Sequence, residues 1–299
     1  MDAQEADPLP GVMPATDFLA LEGPKCAVLG QPIAHSLSPV LHSAGYRALG
    51  LEFSYVRIEA GQARDVRRLL EAADDQVRGF SVTMPIKQDA LELSDVATER
   101  ALQIGSANTL VPTAEGGWLA DNTDVDGVTA CLVSLQRQGV VIDGTKAVVV
   151  GNGGTARPAV AALAAAGVQA VTVLARSERA LNLQALVESC GMEFRWARFD
   201  DPSVKEMCAE CSVAISTVPD HAASGLTHAL LAAGAIIDVV YDPYPTTLLS
   251  AARAAGLPHA DGLRMLAGQA EEQFRLFTGH PAPQGLMLEA VLQARPHGS

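Results

Sequence analysis

The stretch KAVVVGNGGTARPAV, residues 146–160, decides the fold. A run of β-branched residues ends at a glycine, and Gly151-x-Gly153-x-x-Ala156 then leads into an alanine-rich segment with helical spacing. In such a turn the first glycine turns the chain sharply and the second lets the backbone approach a pyrophosphate, while a small third residue lets the helix pack on the strand. The helix N-terminus adds N–H donors and a partial positive charge. The stretch therefore predicts the first unit of a Rossmann-type dinucleotide-binding domain.

The end of the next apolar run predicts which dinucleotide binds. The run AVTVLA, residues 170–175, is followed by Arg176 and Ser177, where an NAD site normally has Asp or Glu for the ribose 2′-hydroxyl. A guanidinium at this place suits a 2′-phosphate, which a carboxylate would repel. A solvated arginine at a strand end is the alternative. We predict NADP, with Arg179 and Arg157 as further candidates for the same phosphate.

The pattern around this stretch predicts an α/β fold. Apolar, β-branched runs alternate with helical patterns, which is typical of parallel sheets covered by helices on both faces. The predicted strands are residues 26–30, 53–59, 79–83, 108–111, 146–151, 170–175, 213–218 and 235–241, and residues 116–122 form the second arm of a hairpin. The alternation restarts after Asp124, so we predict two α/β domains.

The predicted domains divide the chain into three parts. Residues 1–123 form a substrate-binding domain with a mostly parallel sheet, residues 124–261 form the Rossmann NADP-binding domain, and residues 262–299 form helices that return to the first domain. Residues 1–24 are acidic and rich in Pro and Ala, which predicts a disordered lead-in. They lack the basic start and apolar centre of a signal peptide, so we expect a cytoplasmic protein.

Composition limits the partners. The net charge of −13 and the pI near 4.9 argue against nucleic acid or an anionic membrane surface. No apolar run approaches the ~18 residues of a membrane span. A small anionic ligand would need a few cations placed locally, and we expect a small-molecule substrate and a monomer or homodimer.

Cys208 and Cys211 form a single CxxC without a second pair at zinc spacing, so we interpret them as packing cysteines and expect no metal.

Polar residues collect in the loops that follow the predicted strands of the first domain. In GQPIAHSLSP, residues 30–39, Ser38 and Pro39 suffice to cap and begin a helix, so Ser36 is surplus to that need. Lys87 follows the strand in SVTMPIKQDA and is one of four lysines. Because Lys can give up its proton and Arg cannot, a lysine here is a candidate acid.

Ligands of open α/β sheets bind outside the carboxyl ends of the strands. The sequence therefore predicts a crevice for a polar ligand at that edge. The residues expected to line it are Ser36, Ser38, Thr83, Lys87, Asn108 and Asp124.

Seven motifs resemble those of the shikimate dehydrogenase family, in the family's order, with wording closest to its actinobacterial members. They are GQPIAHSLSP, SVTMPIK, GSANT, DNTDVDG, GNGGTA, VVYDPYPT and DGLRMLAGQA. The resemblance implies reversible, NADPH-dependent reduction of 3-dehydroshikimate to shikimate, in the pathway to chorismate and aromatic amino acids.

The resemblance also implies a role for each matching position. Lys87 and Asp124 would be the catalytic pair. The implied substrate-binding residues are Ser36, Ser38, Thr83, Asn108, Tyr241 and Gln269. The implied cofactor-binding residues are Gly151, Asn152, Gly153, Gly154, Thr155, Ala156, Arg176, Ser177, Arg179, Thr217 and Met265.

Three positions depart from the commonest family pattern: Ser81, Ser43 and Ala175 each replace an Asn. None of the three removes a group that the chemistry needs. Two kinds of alternative stay open. The first is a quinate/shikimate or aminoshikimate-type dehydrogenase, and the second is a non-catalytic NADP-binding sensor on the same fold.

Overall fold

The structure is a computed structural model that describes residues 11–294. The chain divides into two compact units, one of residues up to Thr123 together with those from Gln269, and one of Asp124–Gly268. The described strands are β1 (Lys25–Gly30), β2 (Ser54–Glu59), β3 (Val77–Val82), β4 (Val96–Ala97), β5 (Thr109–Pro112), β6 (Trp118–Asp121), β7 (Lys146–Val150), β8 (Ala170–Ala175), β9 (Glu193–Arg198), β10 (Val213–Ser216), β11 (Ile236–Asp238) and β12 (His259–Asp261).

The described α-helices begin with α1 to α7: α1 (Ala15–Leu19), α2 (Ser38–Leu49), α3 (Ala63–Ala72), α4 (Lys87–Glu92), α5 (Glu99–Ile104), α6 (Asp124–Arg137) and α7 (Ala156–Ala165). They continue with α8 (Gln184–Ser189), α9 (Val204–Ala209), α10 (Asp220–Ala223), α11 (Thr227–Leu230), α12 (Thr247–Ala254), α13 (Gly262–Thr278) and α14 (Leu286–Ala294), and 3₁₀ turns span Glu178–Leu183 and Ser224–Leu226. None of these helices is long and apolar enough to cross a membrane.

The first unit contains a six-stranded sheet in the order β2-β1-β3-β5-β6-β4. Strand β1 is parallel to both of its neighbours, and β4 is parallel to β6, whereas β5 is antiparallel to β3 and β6. The predicted mostly parallel sheet and its hairpin are therefore confirmed.

The C-terminal part of α13 completes the core of this first unit. Phe274 and Phe277 are buried on it, and their rings lie 6.3 and 5.7 Å from the ring of buried His42. The sequence predicted that the C-terminal helices return to the first domain from residue 262, which is the first residue of α13. In the structure the chain passes from the second unit back to the first at Gln269, within that helix.

The predicted disordered lead-in is wrong for residues 11–24. The chain forms α1 here, and the fully buried ring of Phe18 lies 5.8 Å from the ring of Phe80. The Lys25 ammonium donates to the carbonyls of Leu19 and Leu21, which fixes the segment after the helix. Burial of one aromatic side chain outweighs the acidic, Pro-rich composition on which the prediction depended. Residues 1–10 lie outside the described residues.

The second unit contains a fully parallel six-stranded sheet in the order β12-β11-β10-β7-β8-β9. This is the doubly wound order, in which successive strands extend from β7 first to one side and then to the other. Residues 147–150 of β7 are completely buried, as expected for a strand covered on both faces. The predicted Rossmann-type domain is confirmed. The sequence pattern did not predict β9 and β12.

Candidate functional site

The two polar loops of the first unit lie against each other at the carboxyl ends of β1 and β3. Thr83 N donates to Leu29 O at 2.8 Å, and Gln31 N donates to Met84 O at 3.1 Å. A Cβ at Gly30 would stand 2.3 Å from Thr83 Cγ2, so only glycine permits this approach. The close packing brings the motifs around Ser36 and Thr83 side by side.

The hydroxyls of Ser36 and Ser38 converge on each other. Ser36 Oγ donates to Ser38 Oγ at 3.3 Å and accepts from Ser38 N at 3.3 Å. The predicted capping role of Ser38 is wrong, because Leu37 is the N-cap residue of α2 and its cap has no side-chain hydrogen bond. Ser36 Oγ thus accepts from the first N–H of the helix, whereas the Ser38 hydroxyl does not cap the helix and can serve a ligand.

Lys87 is held beside the strand that follows Asn108. It is the first residue of α4, it is partly exposed, and its carbonyl accepts from Ala107 N at 2.8 Å. The next side chain, Asn108, is 2 % exposed and donates to Gln269 Oε1 at 3.3 Å. Within the first unit the structure thus brings the Asn108 side chain into contact with Gln269 of α13 and anchors the backbone of Lys87 next to Asn108.

The remaining predicted partners of the substrate belong to the second unit. Asp124 is the first residue of α6 and is buried, and Tyr241 follows β11 and is partly buried. Burial raises the pKa of the Tyr241 hydroxyl, so it is a hydrogen-bond donor at neutral pH. The pairing of Asp124 with Lys87 stays a prediction, because the two residues lie in different units.

The glycine-rich loop after β7 has the geometry that a pyrophosphate needs. Gly151 has φ of +102°, and a Cβ there would stand 2.6 Å from Val218 Cγ1 and 2.8 Å from Thr217 Oγ1. In contrast, nothing lies within 4 Å of the Cβ positions of Gly153 and Gly154, and both glycines are exposed. The backbone at these two glycines is thus open to a phosphate at the N-terminus of α7.

The other predicted loop residues border this opening. Asn152 and Thr155 are partly exposed, and buried Ala156 begins α7 and donates from its backbone N to Gly153 O. Thr217, at the end of β10, donates from its hydroxyl to Val150 O at 2.8 Å. Met265 is buried in the core of the second unit.

Basic side chains lie at the end of β8, the strand next to β7. Arg176, Ser177 and Arg179 are exposed, and the guanidinium carbon of Arg176 lies 5.9 Å from the ring centre of Phe199. Arg157 reaches back to the same region, where it donates to Asn182 O at 3.3 Å. A guanidinium stacked on an aromatic ring keeps its edge available for a phosphate. The donor set fits a 2′-phosphate and has no carboxylate at positions 176 and 177.

Cys208 and Cys211 pack inside the second unit. Burial raises the pKa of Cys208 to about 12 and that of Cys211 to about 11, so both thiols stay protonated at neutral pH. Within residues 11–294, no group of three or more His, Cys, Asp or Glu side chains could hold a metal ion.

A buried hydrogen-bond chain lies beneath Asn108, and the sequence pattern did not predict it. Tyr55 Oη lies 2.6 Å from Ser81 Oγ, which donates to Gln273 Oε1 at 2.7 Å. Gln273 Nε2 in turn donates to Asn108 O at 3.0 Å and to Thr109 Oγ1 at 2.9 Å. The signal available in the sequence was that Gln273 follows Gln269 by one helical turn and so shares its face of α13.

A second residue that the sequence pattern did not predict is Arg57 on β2. Its side chain is almost completely buried, and its Nε donates to Ser36 O at 2.8 Å. The signal in the sequence was a charged residue in the middle of the otherwise apolar run YVRI.

Two family models match the chain. The shikimate dehydrogenase substrate binding domain matches residues 28–110, and the shikimate 5′-dehydrogenase C-terminal domain matches residues 262–292. The curated shikimate dehydrogenase (NADP(+)) of Citrifermentans bemidjiense is 39% identical over 276 residues, which cover 90% of this chain and 94% of that protein.

Solved structures agree with the family models. The shikimate 5-dehydrogenase of Mycobacterium fortuitum is 45% identical, with a TM-score of 0.81 over 91% of this chain and 98% of its own. The enzyme of Thermus thermophilus, solved with NADP(H) and shikimate, is 32% identical, with a TM-score of 0.74 over 91% of this chain and 100% of its own. The chain belongs to the shikimate dehydrogenase family.

Proposed function

We propose that this chain catalyses the reversible, NADPH-dependent reduction of 3-dehydroshikimate to shikimate, the step that serves chorismate and aromatic amino acid synthesis. The observation that carries the proposal is full-length similarity to enzymes of this name, including one solved with both ligands. The hydroxyl-rich loops of the first unit and the open glycine loop of the second supply matching chemistry.

In the proposed site the first unit binds the ring. Ser36 and Ser38, with Tyr241 of the second unit, bind the carboxylate. Thr83, Asn108 and Gln269 bind the ring hydroxyls. Hydroxyl and amide side chains both donate and accept hydrogen bonds, so they suit a ring whose hydroxyls do the same. The contact of Asn108 with Gln269 supports their joint role.

The second unit binds the cofactor in this proposal. Gly153 and Gly154 face the pyrophosphate, and Arg176 with Ser177 and Arg179 binds the 2′-phosphate. When bound, NADPH supplies the hydride that reduces the ketone carbon. The chain must place that hydride and supply a proton to the ketone oxygen.

Lys87 is the proposed proton donor, with Asp124 as its partner. A lysine ammonium releases its proton where a guanidinium does not, and the carbonyl of Lys87 accepts from Ala107 N, next to Asn108. We further propose that the protein acts in the cytoplasm, as a monomer or homodimer, and has no nucleic-acid or membrane partner, in keeping with its net charge of −13.

One assay tests the proposal against its alternatives. Absorbance at 340 nm is followed with shikimate and with quinate, each in the presence of NADP⁺ and of NAD⁺. We expect turnover to be fastest with shikimate and NADP⁺. Faster turnover of quinate, or of an amino analogue of shikimate, would assign the enzyme to the alternative substrate. NADP⁺ binding with no turnover of any substrate would indicate a sensor.

A further inference from the structure

The three residues proposed to bind the substrate carboxylate are neutral hydrogen-bond donors. Ser36, Ser38 and Tyr241 donate hydrogen bonds but carry no positive charge, and the chain as a whole has a net charge of −13. An anionic substrate approaching such a protein needs a local cation to offset the long-range repulsion. Arg57 is a cation at this loop.

Arg57 reaches the loop from beneath. Its side chain extends from β2, only 1 % of the residue is exposed, and its Nε and Nη2 both donate to Ser36 O. Two donors from one planar guanidinium fix the direction of that carbonyl. Because the peptide is planar and trans, the N–H of the same peptide group points away from Arg57. The arginine thus sets the orientation of the backbone between the two serines.

We propose that Arg57 is a positioning residue for the substrate carboxylate, which fixes the loop of Ser36 and Ser38 from below and gives it a positive potential. This inference rests on the proposed function, in which that loop binds the carboxylate of shikimate. Arg57 itself need not touch the substrate, since it acts on the loop through the two hydrogen bonds that its Nε and Nη2 donate to Ser36 O.

The charge of Arg57 acts with little screening. Solvent ions screen a buried charge much less than an exposed one, so its potential extends through the loop. Burial lowers the pKa of Arg57, and the guanidinium nevertheless stays protonated at neutral pH. At an effective dielectric constant of about 20, a positive charge roughly 8 Å from a bound carboxylate strengthens the binding of that carboxylate by about 10- to 30-fold.

The test compares shikimate with its primary amide, a neutral molecule of nearly the same shape. We expect Arg57→Gln to lower kcat/KM for shikimate on the order of tenfold, mainly through KM, and to change the value for the amide less than about threefold. Arg57→Lys keeps the charge and should keep most of the preference for the acid. The KM for NADP⁺ should be unchanged in both variants, and circular dichroism checks that they fold.

Equal losses for the acid and the amide in Arg57→Gln would show a purely structural role and overturn the inference. Unchanged values for both substrates would also overturn it. If the variants do not fold, the wild type decides, because nearly equal kcat/KM for acid and amide would leave no charge effect to explain.

A wild type that turns over neither shikimate nor its amide would contradict the proposed function instead. Calorimetric titration of the wild type and Arg57→Gln with the two compounds then still measures the preference for the acid. Loss of that preference in the variant supports the inference, and an unchanged preference refutes it.

Discussion

Replacing Gln273 by Leu tests the buried hydrogen-bond chain that supports Asn108. Leu has a similar size but makes none of the three hydrogen bonds of Gln273, which is 1 % exposed. Each of its three partners keeps one other bond. Asn108 O still accepts from Val82 N, Thr109 Oγ1 still donates to Asn108 Oδ1, and Ser81 keeps Tyr55.

The expected cost follows from those remaining bonds. A lost hydrogen bond whose partner stays paired costs about 1 kcal/mol, so three cost about 3 kcal/mol. The extra apolar surface that Leu buries returns up to about 1 kcal/mol, which leaves a net loss of about 2 to 3 kcal/mol in the free energy of unfolding. If the three groups were left without partners, the loss would exceed about 5 kcal/mol.

Urea denaturation followed by circular dichroism measures the loss, and steady-state kinetics measures its functional effect. We expect KM for shikimate to rise in Gln273→Leu because the backbone of Asn108 loses a support, while KM for NADP⁺ stays the same. Tyr55→Phe is the matched control, since it removes one bond of the same chain and should cost about 1 kcal/mol. Two results would refute the reasoning: a loss of unfolding free energy below about 0.5 kcal/mol in Gln273→Leu, or a loss in Tyr55→Phe equal to that in Gln273→Leu.

Three further predictions concern single residues. Lys87→Met should lower kcat by roughly 10²–10⁴ without weakening NADPH binding measured by fluorescence, and a variant with near-normal kcat would remove Lys87 as the acid. Arg176→Ala should weaken NADP⁺ binding by about 1.5 to 3 kcal/mol, and equal weakening of NAD⁺ would show that Arg176 does not contact the 2′-phosphate. Burial raises the pKa of Asp238 to about 6 from its usual 3.8, so the folded state holds the proton more tightly than the unfolded state does. A pKa difference of one unit corresponds to about 1.36 kcal/mol, so the wild type should lose up to about 3 kcal/mol of stability relative to Asp238→Asn as pH rises from about 4 to above 6. Urea denaturation of both proteins across that range measures the loss, and midpoints that change in parallel would contradict the prediction.

The parts of the fold that local pattern determines could be predicted from the sequence. The glycine loop at Gly151 and the buried run before it identify a strand followed by a helix, and their repetition implies parallel sheets. The rule that ligands bind at carboxyl ends then placed Thr83 and Lys87 in the loop after β3, whereas Asn108 lies at the same edge because β5 is antiparallel to β3.

The parts that depend on distant contacts could not be predicted. Ser81 and Gln273 are 192 residues apart, and nothing in either segment indicates the hydrogen bond between them. Strand β9 has the polar sequence EFRWAR at the edge of its sheet, where one-sided burial leaves a weak apolar signal. In α1 the composition indicated disorder, because the packing of Phe18 against Phe80 is invisible in the segment itself.

The division of the chain into units has a consequence for its synthesis on the ribosome. The second unit is one uninterrupted stretch, so all of its strands have emerged once Gly268 has left the exit tunnel. The first unit begins earlier in the chain yet must wait for Phe274 and Phe277, which close its interior around His42. The middle of the polypeptide can therefore finish folding before its beginning does, and a released chain truncated after Gly268 would contain the whole second unit while its first unit lacked Phe274 and Phe277.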